Sequence, residues 1–336
     1  MSLSAGKRAR LERVSNPDGI IAALALDQRS ALRSLLARAK GVVPEEISRR
    51  MLEEFKGEVS RVLTPHTSAI LLDPEYGLPA AGQRAKTSGL LLAYEQTGYD
   101  KGVPGRLPRL LDEWSVRRLV DAGADCVKVL LYYSPVSAKA TNDVKHAWVE
   151  RVGAECQALD VPFFLELVVY REEMDDKSLE FARLKPAAVV ASLMEFSKPH
   201  YGVDIFKIGL AVNMAFVGEG SGDFAYTREQ AKSHLRQAGA ASKKPFIYLS
   251  EGVSNQTFAR ALQLAGEAGV RYSGVLCGRA TWNDGVEIYA KGGKGALEEW
   301  LRSVGVENIR RVNEQLRAAR SWQSVYPGKA AVDSGR

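Results

Sequence analysis

The sequence contains little cysteine, little histidine and no long uninterrupted apolar run. Its three cysteines, Cys126, Cys156 and Cys277, are widely spaced and form no CxxC pair, so we expect no disulfide framework. Its four histidines form no HxxH or HExxH arrangement, so we expect no metal site. The absence of an 18-residue apolar run and of a signal-like apolar segment near the start predicts a cytoplasmic protein without a membrane partner.

The charge distribution adds little about binding partners. The net charge is +6, but the basic residues are interspersed with Asp and Glu along the chain, and no nucleic-acid partner is expected. The one dense basic run contains Lys7, Arg8, Arg10 and Arg13, which we interpret as a solvated helix face. A modest basic excess also suits an enzyme with anionic substrates.

Eight apolar, β-branched runs alternate with helical patterns. Near-continuous apolar strands are typical of a parallel sheet that is covered on both faces. The predicted strands cover 19–27, 68–73, 89–94, 126–133, 162–170, 203–212, 245–250 and 273–278. The predicted helices between them cover 44–63, 113–122, 143–159, 178–196, 227–240 and 255–268. Eight such units predict an α/β protein with a (β/α)8 TIM barrel.

No linker divides the chain, so we expect one barrel domain over residues 1–336. Within it, residues 1–18 are predicted to hold a helical segment, 296–325 a C-terminal helical extension and 327–336 a disordered tail. A doubly wound sheet is the competing fold, but no GxGxxG follows the first strand. We interpret the GEGSG stretch at 218–222 as a flexible loop.

Three charged residues interrupt apolar strands: Lys128 in CVKVLL, Glu166 in FFLELVV and Lys207 in DIFKIGL. Because the three strands are consecutive, the side chains should converge inside the barrel, where a buried charge is costly unless it is paired or functional. They could form an ion network that only fixes the strand register. Two lysines and a carboxylate also suit Schiff-base chemistry with a ketone, since a desolvated lysine beside a second cation is more readily neutral. Spacing alone leaves both lysines eligible as the nucleophile.

The ends of the seventh and eighth strands predict a phosphate site. YLSEGVSN and LCGRATW supply Ser250, Gly252, Gly278 and Arg279, and the loops after these strands commonly bind phosphate in this fold. The alternatives are a surface salt bridge for Arg279 and a simple tight turn for Gly278.

Several motifs resemble those of class I tagatose 1,6-bisphosphate aldolases. The resemblance extends in order from about residue 10 to residue 325. The motifs are ALDQR, LLDPEYG, AYEQTGYD, PGRLP, VKVLLYY, FLELVVY, FKIGL, YLSEGV and LCGRATW. The resemblance implies a metal-independent enzyme without a cofactor that splits tagatose 1,6-bisphosphate into dihydroxyacetone phosphate and glyceraldehyde 3-phosphate.

The resemblance also assigns roles to residues. It implies that Lys207 forms the Schiff base and that Glu166 shuttles protons. It further implies that the substrate contacts lie in the DQR, VKVLLYY, YLSEGV and LCGRATW motifs, at Asp27, Gln28, Lys128, Ser250, Leu276, Gly278 and Arg279. A homo-oligomer, a dimer or tetramer, is implied as well.

Two other functions remain open. The same mechanism can act on a sulfofructose phosphate or another ketose phosphate, because only the half of the substrate beyond dihydroxyacetone phosphate differs. The SPVSAKATNDVK stretch at 134–145 and the GEGSGDFAYT stretch at 218–227 depart from the family pattern and fall where that half would bind. A barrel that binds a phosphorylated metabolite and acts as a regulator, without turnover, is the non-enzyme alternative.

Overall fold

Eight parallel strands follow one another in chain order around a closed barrel. The computed structural model describes residues 3–100, 102–219 and 222–327. The strands are β1 (Ile21–Leu26), β2 (Ala69–Leu72), β3 (Gly89–Ala93), β4 (Cys126–Tyr133), β5 (Phe163–Val169), β6 (Ile205–Ile208), β7 (Phe246–Tyr248) and β8 (Gly274–Cys277). The predicted TIM barrel is confirmed, although β6 is much shorter than predicted because the chain leaves the sheet after Ile208.

Helices surround the barrel. They are α1 (Ala5–Arg13), α2 (Ser30–Lys40), α3 (Arg49–Leu63), α4 (Leu78–Ala81), α5 (Val116–Asp121), α6 (Lys139–Ala158), α7 (Leu179–Phe196), α8 (Arg228–Ala241), α9 (Asn255–Glu267), α10 (Arg279–Trp282), α11 (Gly285–Trp300) and α12 (Val306–Gln315). The predicted start of a helix at residue 44 is wrong: residues 44–46 form a separate 3-10 turn, and α3 begins after Ser48. The Ser48 hydroxyl accepts a hydrogen bond from the backbone N–H of Met51 and caps the helix there.

Alternation along the strands separates two apolar layers. On β1, Ala23 and Ala25 face the barrel interior, whereas Leu24 and Leu26 pack against the surrounding helices. This period of two is what an extended strand dictates. The interior layer combines the small side chains of β1 with larger ones such as Phe164 of β5 and Leu276 of β8.

The C-terminal helical extension is confirmed, but its helices begin earlier than predicted. α11 starts at Gly285 and kinks at Gly293, whose φ of 70° and ψ of −162° are not helical. A π-helical turn, Leu301–Gly305, leads into α12. Apart from Pro327, the predicted disordered tail lies outside the described residues, as does part of the predicted loop at 218–222.

Helix α1 covers the N-terminal end of the barrel. Lys7 is buried, and its ammonium lies 2.7 Å from the Asp204 carboxylate. The Arg13 guanidinium lies 2.5 Å from Asp125. The prediction of a solvated basic face is therefore wrong for Lys7, because the carboxylates that precede β4 and β6 draw these cations onto the barrel. Among the described residues, no helix is both long and apolar enough to cross a membrane.

Candidate active site

Lys128, Glu166 and Lys207 meet inside the barrel. Each lies two positions along its strand from an interior apolar residue, so alternation directs all three side chains inward. Oε2 of Glu166 lies 2.8 Å from Nζ of Lys207 and 2.9 Å from Nζ of Lys128. One carboxylate oxygen is thus shared by the two amines.

Lys128 has two further carboxylate partners. Its Nζ lies 2.6 Å from Oδ2 of Asp27, after β1, and 2.6 Å from Oε1 of Glu95, after β3. Burial lowers the pKa of Lys128, but the carboxylates of Asp27, Glu166 and Glu95 outweigh it and raise that pKa well above the usual value. Lys128 is therefore held as an ammonium ion, which has no lone pair for nucleophilic attack.

The carboxylates around Lys128 have different environments. Burial raises the pKa of Asp27, yet the ammonium groups of Lys128 and Lys207 more than offset this, and the pKa falls below its usual range. Burial keeps the pKa of Glu95 above its usual value despite Lys128 and Arg29. In the described part of the chain, Oε2 of Glu95 has no hydrogen-bond partner. Sequence reasoning left Glu95 out of the site, although it follows a buried strand just as Asp27 does.

A cavity of about 310 Å³ opens above this cluster. Its walls combine acidic, basic and aromatic side chains. They include Asp27, Gln28, Arg29, Glu95, Arg106, Arg109, Tyr132, Glu166 and Arg279. Arg29 is already neutralised, because it lies 2.8 Å from Glu75 and donates to the Glu95 carbonyl. Gln28 donates to Asp27, while its Oε1 is buried without a partner among the described residues.

The predicted phosphate residues do not all reach this cavity. Arg279, which begins α10 directly after Gly278, lines it and also a neighbouring cavity of about 230 Å³ near the start of α9. Ser250 lines a different cavity, of about 320 Å³, between the ends of β5, β6 and β7. Leu276 is a buried interior residue of the barrel.

The lack of a side chain at Gly252 allows Arg279 to lie close to the end of β7. A Cβ added to Gly252 would lie 2.8 Å from Cζ of Arg279. Its φ of +78° is also one that residues with a Cβ rarely adopt. A glycine at this position therefore lets the guanidinium pack directly on the backbone.

The described residues contain no group of three or more histidine, cysteine, aspartate or glutamate side chains arranged to hold a metal ion. Where three carboxylates do converge, on Lys128, an ammonium group occupies the centre. The site therefore offers amines and carboxylates as its reactive groups.

Comparison with known proteins identifies the family. Residues 21–284 match the DeoC/LacD family aldolase model. The chain belongs to the DeoC/LacD family of aldolases. It is therefore a carbon–carbon lyase, as the sequence motifs predicted.

Similar proteins extend over the full length of this aldolase. A tagatose 1,6-diphosphate aldolase of Listeria monocytogenes serotype 4a (strain HCC23) is 48% identical over 97% of this chain and 96% of its own. Tagatose 1,6-diphosphate aldolase 2 of Enterococcus faecalis (strain ATCC 700802 / V583) is 49% identical, with 100% of each chain covered.

Among solved structures, a fructose-bisphosphate aldolase from Plasmodium falciparum has a TM-score of 0.65. It is 14% identical, and the match covers 98% of each chain. At this identity the similarity supports the barrel fold alone.

Proposed function

We propose that this aldolase cleaves tagatose 1,6-bisphosphate to dihydroxyacetone phosphate and glyceraldehyde 3-phosphate through a Schiff base on Lys207. The observation that carries the proposal is the buried pair of Lys207 and Glu166, 2.8 Å apart, below a cavity lined by arginines. The names of the full-length relatives support the substrate.

The geometry favours Lys207 over Lys128 as the nucleophile. Lys128 faces three carboxylates and stays protonated, whereas among the described residues Lys207 has Glu166 as its one carboxylate within 4.0 Å. Lys128 and Lys207 contact the same oxygen of Glu166, so a substrate carbonyl that reaches Lys207 also lies beside the charge of Lys128.

In the proposed reaction, Nζ of Lys207 attacks the C2 carbonyl, and loss of water from the carbinolamine gives an iminium ion. A base removes the proton of the C4 hydroxyl, the C3–C4 bond breaks, and its electron pair moves into the iminium as an enamine. Glyceraldehyde 3-phosphate leaves. Protonation of the enamine at C3 and hydrolysis then release dihydroxyacetone phosphate and the free lysine.

Glu166 is the group placed to move protons in these steps. Its carboxylate touches Lys207 and also lines the cavity where the substrate hydroxyls would lie. The Arg279 guanidinium, packed on Gly252, supplies a charged fork for the phosphate of the dihydroxyacetone half.

Borohydride trapping tests the proposal. Reduction in the presence of dihydroxyacetone phosphate should leave a stable adduct on the tryptic peptide that contains Lys207. The Lys207→Met variant should lose both the adduct and cleavage of tagatose 1,6-bisphosphate. Lys139→Met is the matched control, because Lys139 is exposed and pairs with Asp143 on the surface of α6.

The assay should use a panel of ketose phosphates, including a sulfonated one, with and without EDTA. We expect tagatose 1,6-bisphosphate to have the highest kcat/KM and EDTA to leave the rate unchanged. An adduct on another lysine would overturn the role of Lys207. A higher kcat/KM for the sulfonated ketose phosphate would overturn the substrate.

A further inference from the structure

Arg106 has a backbone conformation that the catalytic cluster does not explain. It lies between β3 and α5, in the sequence PGRLP, and its φ is 47°. Residues with a Cβ rarely adopt this left-handed conformation, and persistent examples often occur at functional sites. The preceding Gly105 also has a positive φ, of 98°.

Two residues that follow β5 hold this strained segment through the backbone of Gly105. The Tyr170 hydroxyl donates to the Gly105 carbonyl at 2.9 Å, and the Gly105 N–H donates to Oε1 of Glu172 at 2.8 Å. A Cβ on Gly105 would lie 2.5 Å from Cγ2 of Thr141, so close packing requires glycine here. The backbone beside Arg106 is therefore held in place before any ligand arrives.

Three tyrosine rings surround the Arg106 guanidinium. Its Cζ lies 4.2 Å from the ring centroid of Tyr170, 5.0 Å from that of Tyr99 and 5.6 Å from that of Tyr132. Aromatic faces orient a guanidinium without neutralising it. Within residues 3–100, 102–219 and 222–327, no carboxylate oxygen lies within 4.0 Å of it. Its charge remains available for an anion in the cavity.

Arg106 and Arg279 lie on different sides of the same cavity. Arg279 follows β8, whereas the three rings around Arg106 belong to β4 (Tyr132) and to residues that follow β3 (Tyr99) and β5 (Tyr170). In an eight-stranded barrel, β4 is opposite β8. Glu166 also lines this cavity. A ligand with an anionic group at each end can therefore lie between the two arginines with its middle at Glu166, the member of the Lys207–Glu166 pair that lines the cavity.

We infer that Arg106 is the specificity-determining residue that binds the second phosphate, the one on the aldehyde half of a ketose bisphosphate. The inference rests on the proposed function. It assigns this phosphate to a guanidinium that Tyr99, Tyr132 and Tyr170 orient. It also explains the strained backbone, since the left-handed turn directs the side chain of Arg106 toward these rings.

The test compares a ketose 1,6-bisphosphate with the corresponding ketose 1-phosphate. In Arg106→Gln, we expect the ratio of kcat/KM for the bisphosphate to kcat/KM for the monophosphate to fall about 30-fold, the scale of a lost charged hydrogen-bond pair. Arg106→Lys keeps the charge but loses the planar guanidinium, so its ratio should lie between those of wild type and Arg106→Gln. In the synthesis direction, KM for glyceraldehyde 3-phosphate should rise in the same order.

Arg118→Gln is the matched control, because Arg118 is exposed on α5, donates to the Glu113 carbonyl and does not line this cavity. We expect its ratio to stay within about threefold of wild type, a difference well below one charged hydrogen bond. If Arg106→Gln does not fold, the ratio for Arg106→Lys decides the question.

The outcomes distinguish the inference from the proposed function. Wild-type protein that cleaves neither substrate would overturn both. Wild-type cleavage together with an unchanged ratio in Arg106→Gln, or an equal loss of the ratio in Arg118→Gln, would overturn the role of Arg106 alone.

Discussion

At the N-terminal end of the barrel each buried carboxylate has a single cation, whereas at the cavity end one lysine is shared by three carboxylates. Asp204 pairs with Lys7, and Asp125 with Arg13. Asp204 also accepts a hydrogen bond from the backbone N–H of Phe163, and Asp125 accepts one from the backbone N–H of Leu90.

At the cavity end, Asp27, Glu95 and Glu166 face Lys128 and Lys207, so three carboxylates meet two amines. One carboxylate oxygen, on Glu95, has no partner in the part of the chain that the structure describes. Pairs with every group satisfied hold strands and α1 together. A set with surplus carboxylate can instead exchange protons. Burial of charge alone therefore does not distinguish the two ends of the barrel, whereas the incomplete pairing of buried carboxylate does.

The largest effect is expected from Glu166→Gln. The amide keeps the shape and hydrogen bonds to both lysines, but it cannot carry a proton between substrate and solvent. We expect kcat for cleavage to fall about 10²- to 10⁴-fold, the usual contribution of general acid–base catalysis. Steady-state kinetics provide the measurement, and urea unfolding checks that the fold is intact. A loss below tenfold would contradict the proton-transfer role.

A change at the N-terminal end of the barrel should lower the free energy of unfolding and leave the cleavage rate unchanged. Lys7→Met leaves the Asp204 carboxylate buried without its cation, and we expect a loss of about 3 kcal/mol in the free energy of unfolding. Cleavage kinetics at 25 °C should not change, because Lys7 is remote from the cavity. Urea denaturation followed by circular dichroism measures the first quantity.

Lys139→Met serves as the control for Lys7→Met. It breaks an exposed pair with Asp143, and surface pairs usually contribute less than about 1 kcal/mol. Equal losses in the two variants would show that the N-terminal end is not held by its buried pairs.

The smallest effect concerns Lys145, a buried lysine that has no carboxylate within 4.0 Å among the described residues. Burial lowers its pKa to about 8, against some opposition from Glu172. Between that pH and the usual lysine pKa of 10.5, the unfolded chain holds a proton that the folded protein has lost. The free energy of unfolding of wild type should therefore rise with pH over this window, relative to Lys145→Met, by about 2 kcal/mol.

The measurement for Lys145 is urea unfolding of both proteins at several pH values between 7 and 11. Subtracting the variant removes the contribution of the other titrating groups. A difference that stays flat across the window would mean that Lys145 keeps its proton. Lys145 would then be a permanently charged buried lysine, as Lys128 is.

The sequence alone predicted the barrel because strand periodicity is a local property. The strand at 126–133 has the predicted bounds, and its inward lysine follows from alternation. Helix starts depend on caps, and the prediction for 44–63 overlooked Ser48 as the capping residue. The predicted helices also omit Ser30–Lys40, which follows Arg29, a residue that makes no side-chain cap.

The site was predictable to the extent that its residues interrupt apolar strands. Lys128, Glu166 and Lys207 do so, and the structure places them together. Arg106 does not interrupt an apolar strand. Its surroundings are formed by tyrosines at three separate chain positions and by a left-handed turn, which the local sequence does not reveal. The pairing of Lys7 with Asp204 could not be predicted from local sequence either, because 197 residues separate the two.

The contacts that close the N-terminal end of the barrel also determine when folding can finish. The Arg8 guanidinium donates to the carbonyl of Tyr326, 318 residues away, and the indole N–H of Trp322 donates to the Ser15 hydroxyl across 307 residues. Contacts between such distant residues form slowly, because the intervening chain must first be ordered. During synthesis, these bonds cannot form until residue 326 has left the ribosome. We therefore expect α1 to dock last, with the strands already paired beneath it.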